Sequence, residues 1–242
     1  MTVNVICMKW GDKYGPEYVN KLYSMVKRNL KKKFRFVCFT DDSTGIEEGV
    51  EIQPMPELDI PKKNQGSPWR KLTVFAEDLG GLKGQTMFID LDVVIVDSID
   101  CFFDFAGSDF TIIENWTQAG RGIGNSSVYI LEIGKYSDVL DYYKKHTQEV
   151  VDKYDNEQIY LSKYIGDIKY WPEEWCKSFK CHCLPGGPGG ILNWFKTPVM
   201  PKGAKIIVFH GNPKPEDAII GQWPGSWRKH VRPTPWVKKY WQ

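Results

Sequence analysis

Apolar and polar positions along this chain switch repeatedly between a period of two and a period near 3.6. Residues 3–8 form a short β-branched run that stops at Lys9-Trp10-Gly11, whereas Tyr18, Val19, Leu22, Met25, Val26 and Leu30 recur at helical spacing. Residues 34–39 read as a second strand, closed by the dense turn signal Thr40-Asp41-Asp42-Ser43-Thr44-Gly45. Strand, helix, strand in this order predicts parallel pairing. In open sheets of that kind ligands bind beyond the carboxyl ends of the strands, so the loops at 9–14 and 40–45 are expected to face one crevice.

After a connection carrying Pro54, Pro56 and Pro61, the pattern predicts a helix over 69–76 leading to Gly80-Gly81. Residues 86–96 are the most hydrophobic window of the chain and predict one long strand, interrupted only by Asp90 and Asp92. Alternation along a strand would put both carboxylates on one side. Further strands are expected at 110–114, 127–131 and 206–209, the last ending in His210-Gly211, with helices at 136–147 and 157–163. No repeat and no Ser/Gly linker divides the sequence. Pro185-Gly186-Gly187-Pro188-Gly189-Gly190 is taken as a mobile loop within one domain, and the aromatic stretch from Trp223 to Trp241 as a wrap around the domain or a wall of a site. The pattern as a whole predicts a single α/β domain: a Rossmann-like mixed, mainly parallel sheet flanked by helices.

Charge and cysteines narrow this picture. Thirty-two basic against thirty acidic residues give a net charge of +2, which provides no global field for nucleic acid. The basic run at 27–33 closes the first helix, where cations favour the dipole; attraction to a membrane surface is the second reading. No apolar run approaches the roughly eighteen residues needed to span a bilayer, and the start has no basic segment followed by a long apolar one. The expectation is a soluble cytoplasmic protein, with peripheral membrane association left open and oligomeric state unassigned. Three of the six cysteines lie in or beside strand-like segments, so reduced core thiols are expected, and Cys176-x4-Cys181-His182-Cys183 lacks the paired knuckles of a zinc site. Aromatics reach 14% with ten tryptophans; most are read as packing, although such rings also suit the faces of sugars and bases.

The candidate chemistry begins at Asp90-Leu91-Asp92. Two carboxylates at the end of an apolar strand are costly unless something cationic neutralises them, and a divalent ion is a natural partner. Hard oxygen ligands suit magnesium or manganese, which complete their shells with substrate phosphate oxygens and water. The order of features resembles the nucleotide-diphospho-sugar transferases of the GT-A fold. Further segments resemble glycosyltransferase family eight, the glycogenin and lipopolysaccharide glycosyltransferase group: Trp69-Arg70-Lys71-Leu72, Gly124-Asn125-Ser126-Ser127-Val128, Asn156-Glu157-Gln158, and Phe209-His210-Gly211-Asn212-Pro213-Lys214-Pro215. Ser127 stands where that family has Gly, and Glu157 where it has Asp.

The resemblance implies a metal-dependent transferase that moves a sugar from a nucleotide-diphosphate donor, a UDP-sugar, to a carbohydrate or glycolipid acceptor. It implies manganese or magnesium on Asp90, Asp92 and His210, with Leu91, Asn125 and Ser126 at the donor. A neutral imidazole can complete a shell begun by two carboxylates; Gly211 permits close backbone approach, and Lys214 or Lys71 can neutralise the leaving diphosphate. Lys9, Trp10, Tyr14, Thr40 and Asp41 are the candidates for holding the base. Glu114, Asp155 and Glu157 are the candidate catalytic carboxylates, and retention or inversion stays open. Residues 3–100 would form the nucleotide-binding half, 101–215 the acceptor and metal-completing half, and 216–242 the wrap. Two other functions compete: a nucleotidyltransferase making sugar nucleotides, for which Lys9-Trp10-Gly11-Asp12-Lys13-Tyr14-Gly15 is a poor Gly-rich loop, and a non-enzymatic carbohydrate- or nucleic-acid-binding module built on Trp227-Arg228-Lys229-His230-Val231-Arg232. No G-x-G-x-x-G or Walker lysine motif is present.

Overall fold

The computed structural model describes residues 2–64, 66 and 68–242. Strand β1 (Val3–Lys9) is followed by α1 (Pro16–Asn29), β2 (Phe34–Thr40) and β3 (Glu51–Pro54). Helix α1 forms where the sequence places its apolar stripe: Tyr18, Val19, Leu22, Met25 and Val26 are buried, Pro16 starts the first turn, and Lys27 and Arg28 meet the negative end of the dipole. β1 and β2 pair in parallel over their whole length, from Val3 opposite Phe34 to Lys9 opposite Thr40. Their carboxyl ends, and the loops that leave them, are thereby placed side by side.

The remaining strands are β4 (Gln85–Ile89), β5 (Val93–Ile95), β6 (Thr111–Glu114), β7 (Gly124–Glu132), β8 (Lys169–Tyr170), β9 (Cys176–Ser178) and β10 (Ile206–Val208). The helices are α2 (Asp100–Ala106), α3 (Ser137–Lys145), α4 (Thr147–Lys153), α5 (Glu157–Ile165), α6 (Pro215–Ile220) and α7 (Pro235–Tyr240). Seven strands form the main sheet in the order β3-β2-β1-β4-β7-β6-β8, and β5-β10-β9 form a second, smaller sheet. Within the main sheet β7 runs antiparallel to both neighbours, while the pairs from β3 to β4 and the β6–β8 pair are parallel. One face packs on α1, α2, the small sheet and the C-terminal helices; the other packs on residues 69–82 and α3 to α5.

The long strand expected at 86–96 is two strands in two sheets. β4 belongs to the main sheet and β5 to the small one, and Asp90-Leu91-Asp92 forms the junction. The carboxylates thus owe their placement to a break between sheets and not to alternation along one strand. The physical reason is the one that made the pair conspicuous: charge is expelled from a core covered on both faces, and the chain leaves the sheet where it occurs. The helix expected at 69–76 is a 3-10 segment, Pro68–Phe75, with Trp69 and residues 71–75 all buried, so packing and not propensity sets its geometry. The helix expected at 136–147 ends at Lys145, and a separate helix, α4, begins at Thr147. The C-terminal stretch turns back across the domain, and Trp241 packs edge-on against Tyr18 of α1 with ring centroids 5.3 Å apart.

Candidate functional site

The break at 90–92 opens into a cavity of about 240 Å³ lined by Trp10, Lys13, Tyr14, Lys71, Asp90, Leu91, Asp92, Ser127, His210 and Gly211, among others. A second cavity of about 350 Å³ shares Pro68, Lys71, Ser127 and His210 with the first and adds Asn115, Trp116, Asn125, Asn156, Glu157 and Gln158. The two are lobes of one cleft. The first is walled by aromatic and cationic groups, the second by amides.

Local irregularities put these side chains there. Opposite β6 the register of β7 jumps between Ile112, which faces Tyr129, and Ile113, which faces Asn125. Ser126, Ser127 and Val128 therefore bulge out of that ladder, although Val128 stays paired with Ile89 of β4 and the Ser127 carbonyl accepts the Asp90 backbone N–H at 2.8 Å. Bulges of this kind re-aim side chains beside sites. Gly211 has φ +76, a left-handed conformation that a side chain would strain, and it turns the chain from His210 towards Lys214.

Each carboxylate has its own ammonium. Lys71 Nζ lies 2.7 and 2.8 Å from the two oxygens of Asp90. Lys214 Nζ lies 2.5 Å from Asp92 Oδ2, an oxygen that also accepts the Tyr14 hydroxyl at 2.7 Å. Burial pushes the Asp90 carboxyl above the usual range; the Lys71 ammonium opposes that rise and Asp92 adds to it. Burial works to lower Lys71, but the carboxylates of Asp90 and Glu157 outweigh it and hold its proton. Tyr14 is raised by burial and by Asp92, so it stays a hydrogen-bond donor. His210 is lowered to about 4 by burial and by nearby Lys180, and is neutral in ordinary buffers. Its Nε2 lies 2.7 Å from Ser178 Oγ, and its ring stacks on Trp116 at 5.6 Å between centroids.

The other expected residues fall in three groups. Lys9, Thr40 and Asp41 stand outside the cavity lining and tie its rim together: Lys9 Nζ donates to the Asp42 carbonyl, Thr40 Oγ1 to the same carbonyl, and Asp41 accepts the Gly11 N–H. The loops after β1 and β2 are thus in direct contact. Glu157 and Ser126 belong to the cleft: the Ser126 hydroxyl donates to Glu157 Oε1 at 2.6 Å, while buried Oε2 has no hydrogen-bond partner among the described residues. Asn125 lines the amide-rich lobe, its Oδ1 accepting the Ser127 N–H. Glu114 lines a neighbouring cavity of about 310 Å³ with Trp116, Trp171 and His182, and Asp155 is an exposed loop residue. Lys13, Asn115, Trp116 and Ser178 were not singled out by sequence; the position of Asn115 and Trp116 directly after β6 was the available signal.

Among the described residues no three or more His, Cys, Asp and Glu side chains are gathered closely enough to share one ion. Asp90, Asp92 and His210 line one cavity, but each is engaged by its own partner. In kind the donors fit a hard divalent cation: two carboxylates, one neutral imidazole, and a local field that already draws two ammonium groups. Lys214 must then release Asp92 for an ion to be held there.

No known family profile matches the chain, and no curated protein is similar to it in sequence. Solved structures are similar in fold. The galactosyltransferase LgtC, in complex with donor and acceptor sugar analogues, superposes with a TM-score of 0.60 at 15% identity, over 88% of this chain and 89% of that one. An active-site mutant of LgtC gives 0.58 at 13%, over the same shares. The glycosyltransferase GlyE of Streptococcus pneumoniae TIGR4 gives 0.59 at 14% over 88% of this chain, which spans only 56% of GlyE. The architecture of this chain, a mainly parallel sheet interrupted at the carboxylate pair, is therefore the GT-A fold.

Proposed function

We propose that this protein is a metal-dependent glycosyltransferase that takes a sugar from a nucleotide-diphosphate donor, a UDP-sugar, and passes it to a hydroxyl of a carbohydrate or glycolipid. The observation that carries the reading is the two-lobed cleft whose lobes meet at Lys71, Ser127 and His210, directly beside Asp90 and Asp92. The likeness of fold to enzymes that move sugars supports it.

In this reading the lobe with Trp10 and Tyr14 takes the nucleotide, its rings against the base. Asp90, Asp92 and His210 hold manganese or magnesium, which supplies Lewis-acid neutralisation of the diphosphate. Lys214, released from Asp92, pairs with diphosphate oxygens and stabilises the charge that grows as the leaving group departs. Lys71 stays on Asp90 and fixes its orientation. The amide-rich lobe, with Asn115, Asn125, Asn156 and Gln158, binds sugar hydroxyls, and Trp116 offers an apolar face. Glu157 is the carboxylate best placed for the reacting centre, because its Oε2, without a hydrogen-bond partner among the described residues, is buried beside the junction of the lobes. Glu114 and Asp155 stand farther out and are assigned no step.

Calorimetric titration with uridine diphosphate, with and without manganese, tests the reading. Binding that requires the metal and fails in Asp92→Asn is the expected result. Binding of equal strength in chelator, or none under any metal condition, overturns it.

A further inference from the structure

The overall charge of +2 conceals a division along the chain. Residues 175–242 hold eleven Lys and Arg against only two carboxylates, Glu216 and Asp217, leaving twenty-one basic against twenty-eight acidic residues before them. The same stretch carries most of the large apolar side chains left in solvent: Ile191 is 73% exposed, Phe195 71%, Val199 68% and Trp227 82%. Soluble surfaces tolerate such residues singly, but a cluster marks an interaction face.

These side chains stand on a built platform. The 3-10 turn Ile191–Trp194 is pinned by buried Asn193, which accepts the Gly186 N–H at 3.0 Å and donates to the Gly187 carbonyl at 2.8 Å. Gly190 packs so closely on the Gly186 carbonyl that a Cβ would lie 2.0 Å from its oxygen. Trp194 stacks on His230 with ring centroids 4.2 Å apart, and Arg232 donates to the Trp194 carbonyl, which joins the 191–199 loop to the 227–232 loop. Exposed Lys196, Arg228, Lys229 and Arg232 stand on the same two loops as the apolar residues, Arg228 over the Trp227 ring at 4.8 Å from its centroid. The segment leading into the second loop lies against the chain that leaves the cleft, since Asn212, two residues after His210, donates to the Pro224 carbonyl at 3.0 Å.

Apolar and aromatic side chains carried on a hydrogen-bonded base, in two loops that hold Lys and Arg and no carboxylate, match an anionic lipid interface: hydrocarbon below and negative headgroups around. We infer that the loops at 190–199 and 226–232 form a docking surface for an anionic membrane, inserting Ile191, Phe195 and Trp227 while Lys196, Arg228, Lys229 and Arg232 pair with headgroup phosphates. Docked in this way, the protein holds the His210–Lys214 edge of its cleft close to the bilayer, within reach of a lipid-linked acceptor; that last consequence alone rests on the sugar-transfer reading.

Co-sedimentation of the intact protein with vesicles, without donor or acceptor, tests the surface separately from catalysis. The protein is expected to pellet with vesicles of equal parts phosphatidylcholine and phosphatidylglycerol, weakly or not at all with phosphatidylcholine alone, and less as salt rises. Lys196→Gln/Arg228→Gln/Lys229→Gln is expected to weaken partitioning on the order of a hundredfold, from the loss of three headgroup-facing charges. Ile191→Ser/Phe195→Ser/Trp227→Ser should weaken it at least about tenfold with an unchanged melting temperature, because these side chains are already in water. Failure of the wild-type protein to bind anionic vesicles overturns the inference, as does undiminished binding by the apolar variant. Binding to a single-stranded oligonucleotide with vesicles ignored would reassign the face to nucleic acid. A dimer in the ultracentrifuge that the apolar variant dissolves, again without vesicle binding, would reassign it to a second copy of the chain. If either variant melts early, the lipid and salt dependence of the wild type decides.

Discussion

Replacing Lys71 with methionine removes one ammonium while keeping most of the volume of its side chain. The Nζ lies 2.7 Å from Asp90 Oδ1, and Lys71 is only 6% exposed. At an effective dielectric constant of about 20, unit charges at that separation attract by roughly 6 kcal/mol, part of which offsets the cost of drying both groups. Removing one partner leaves the other buried and uncompensated, with Asp92 adding repulsion, and such losses run to about 3–5 kcal/mol. For a chain of this length each kcal/mol moves the melting temperature by about 2–4 °C, so Lys71→Met is expected to melt roughly 10 °C below wild type. The deficit should shrink in acid, where the already raised Asp90 carboxyl takes up a proton. The double variant Lys71→Met/Asp90→Asn should recover more than half of the loss. Calorimetric melts in chelator-containing buffer read all three. A single variant that melts within about a degree of wild type, or a double variant no better than the single, would refute the view that this pair is a strongly coupled buried ion pair.

Four other outcomes follow from the same geometry. Lys214→Ala frees Asp92 of its ammonium; manganese binding to the free protein should strengthen while uridine diphosphate binding weakens, and parallel changes in both titrations would contradict the placeholder role. Asp92→Asn should lower manganese-dependent donor affinity at least about tenfold, through loss of a charged ligand, with a melting shift of only a few degrees. Glu157→Gln should cut turnover by roughly 10²–10⁴ with little effect on donor KM, the range for loss of an acid–base group; an unchanged kcat would remove it from the chemistry. His210 is held near 4, below its unfolded value of about 6.5, so the unfolded chain binds the extra proton first. Stability from this group is complete above that unfolded value and is lost as pH falls towards 4. In chelator, His210→Gln should flatten that part of the pH–stability curve, and an unchanged slope would show that the group is not buried neutral.

The first half of the fold was legible because its strands and helix obey their periods. Residues 3–8, 18–30 and 34–39 specify β1, α1 and β2 almost to the residue. The division of 86–96 between two sheets was not, because Leu91 and the β-branched residues on both sides keep the hydrophobic pattern unbroken while hydrogen-bond partners decide the break. The site was legible as a set of residue types at strand ends and illegible as a set of pairs. Nothing local in the sequence matches Lys71 to Asp90, Lys214 to Asp92 across 122 positions, or His210 to Ser178. The 3-10 geometry at 68–75 and the β7 bulge are likewise tertiary outcomes, yet they aim Lys71 and Ser126 into the cleft. Trp116 went unnoticed because one tryptophan among ten carries no signal until His210 is seen against its face.

The most direct test of the central claim is the release of free nucleoside diphosphate from a panel of sugar nucleotides, with manganese and with chelator. Release from a uridine-linked donor is expected to require the metal, to rise with a carbohydrate acceptor and to disappear in Asp90→Asn. Absence of release from every donor in every metal condition, or release unaffected by that substitution, would contradict it.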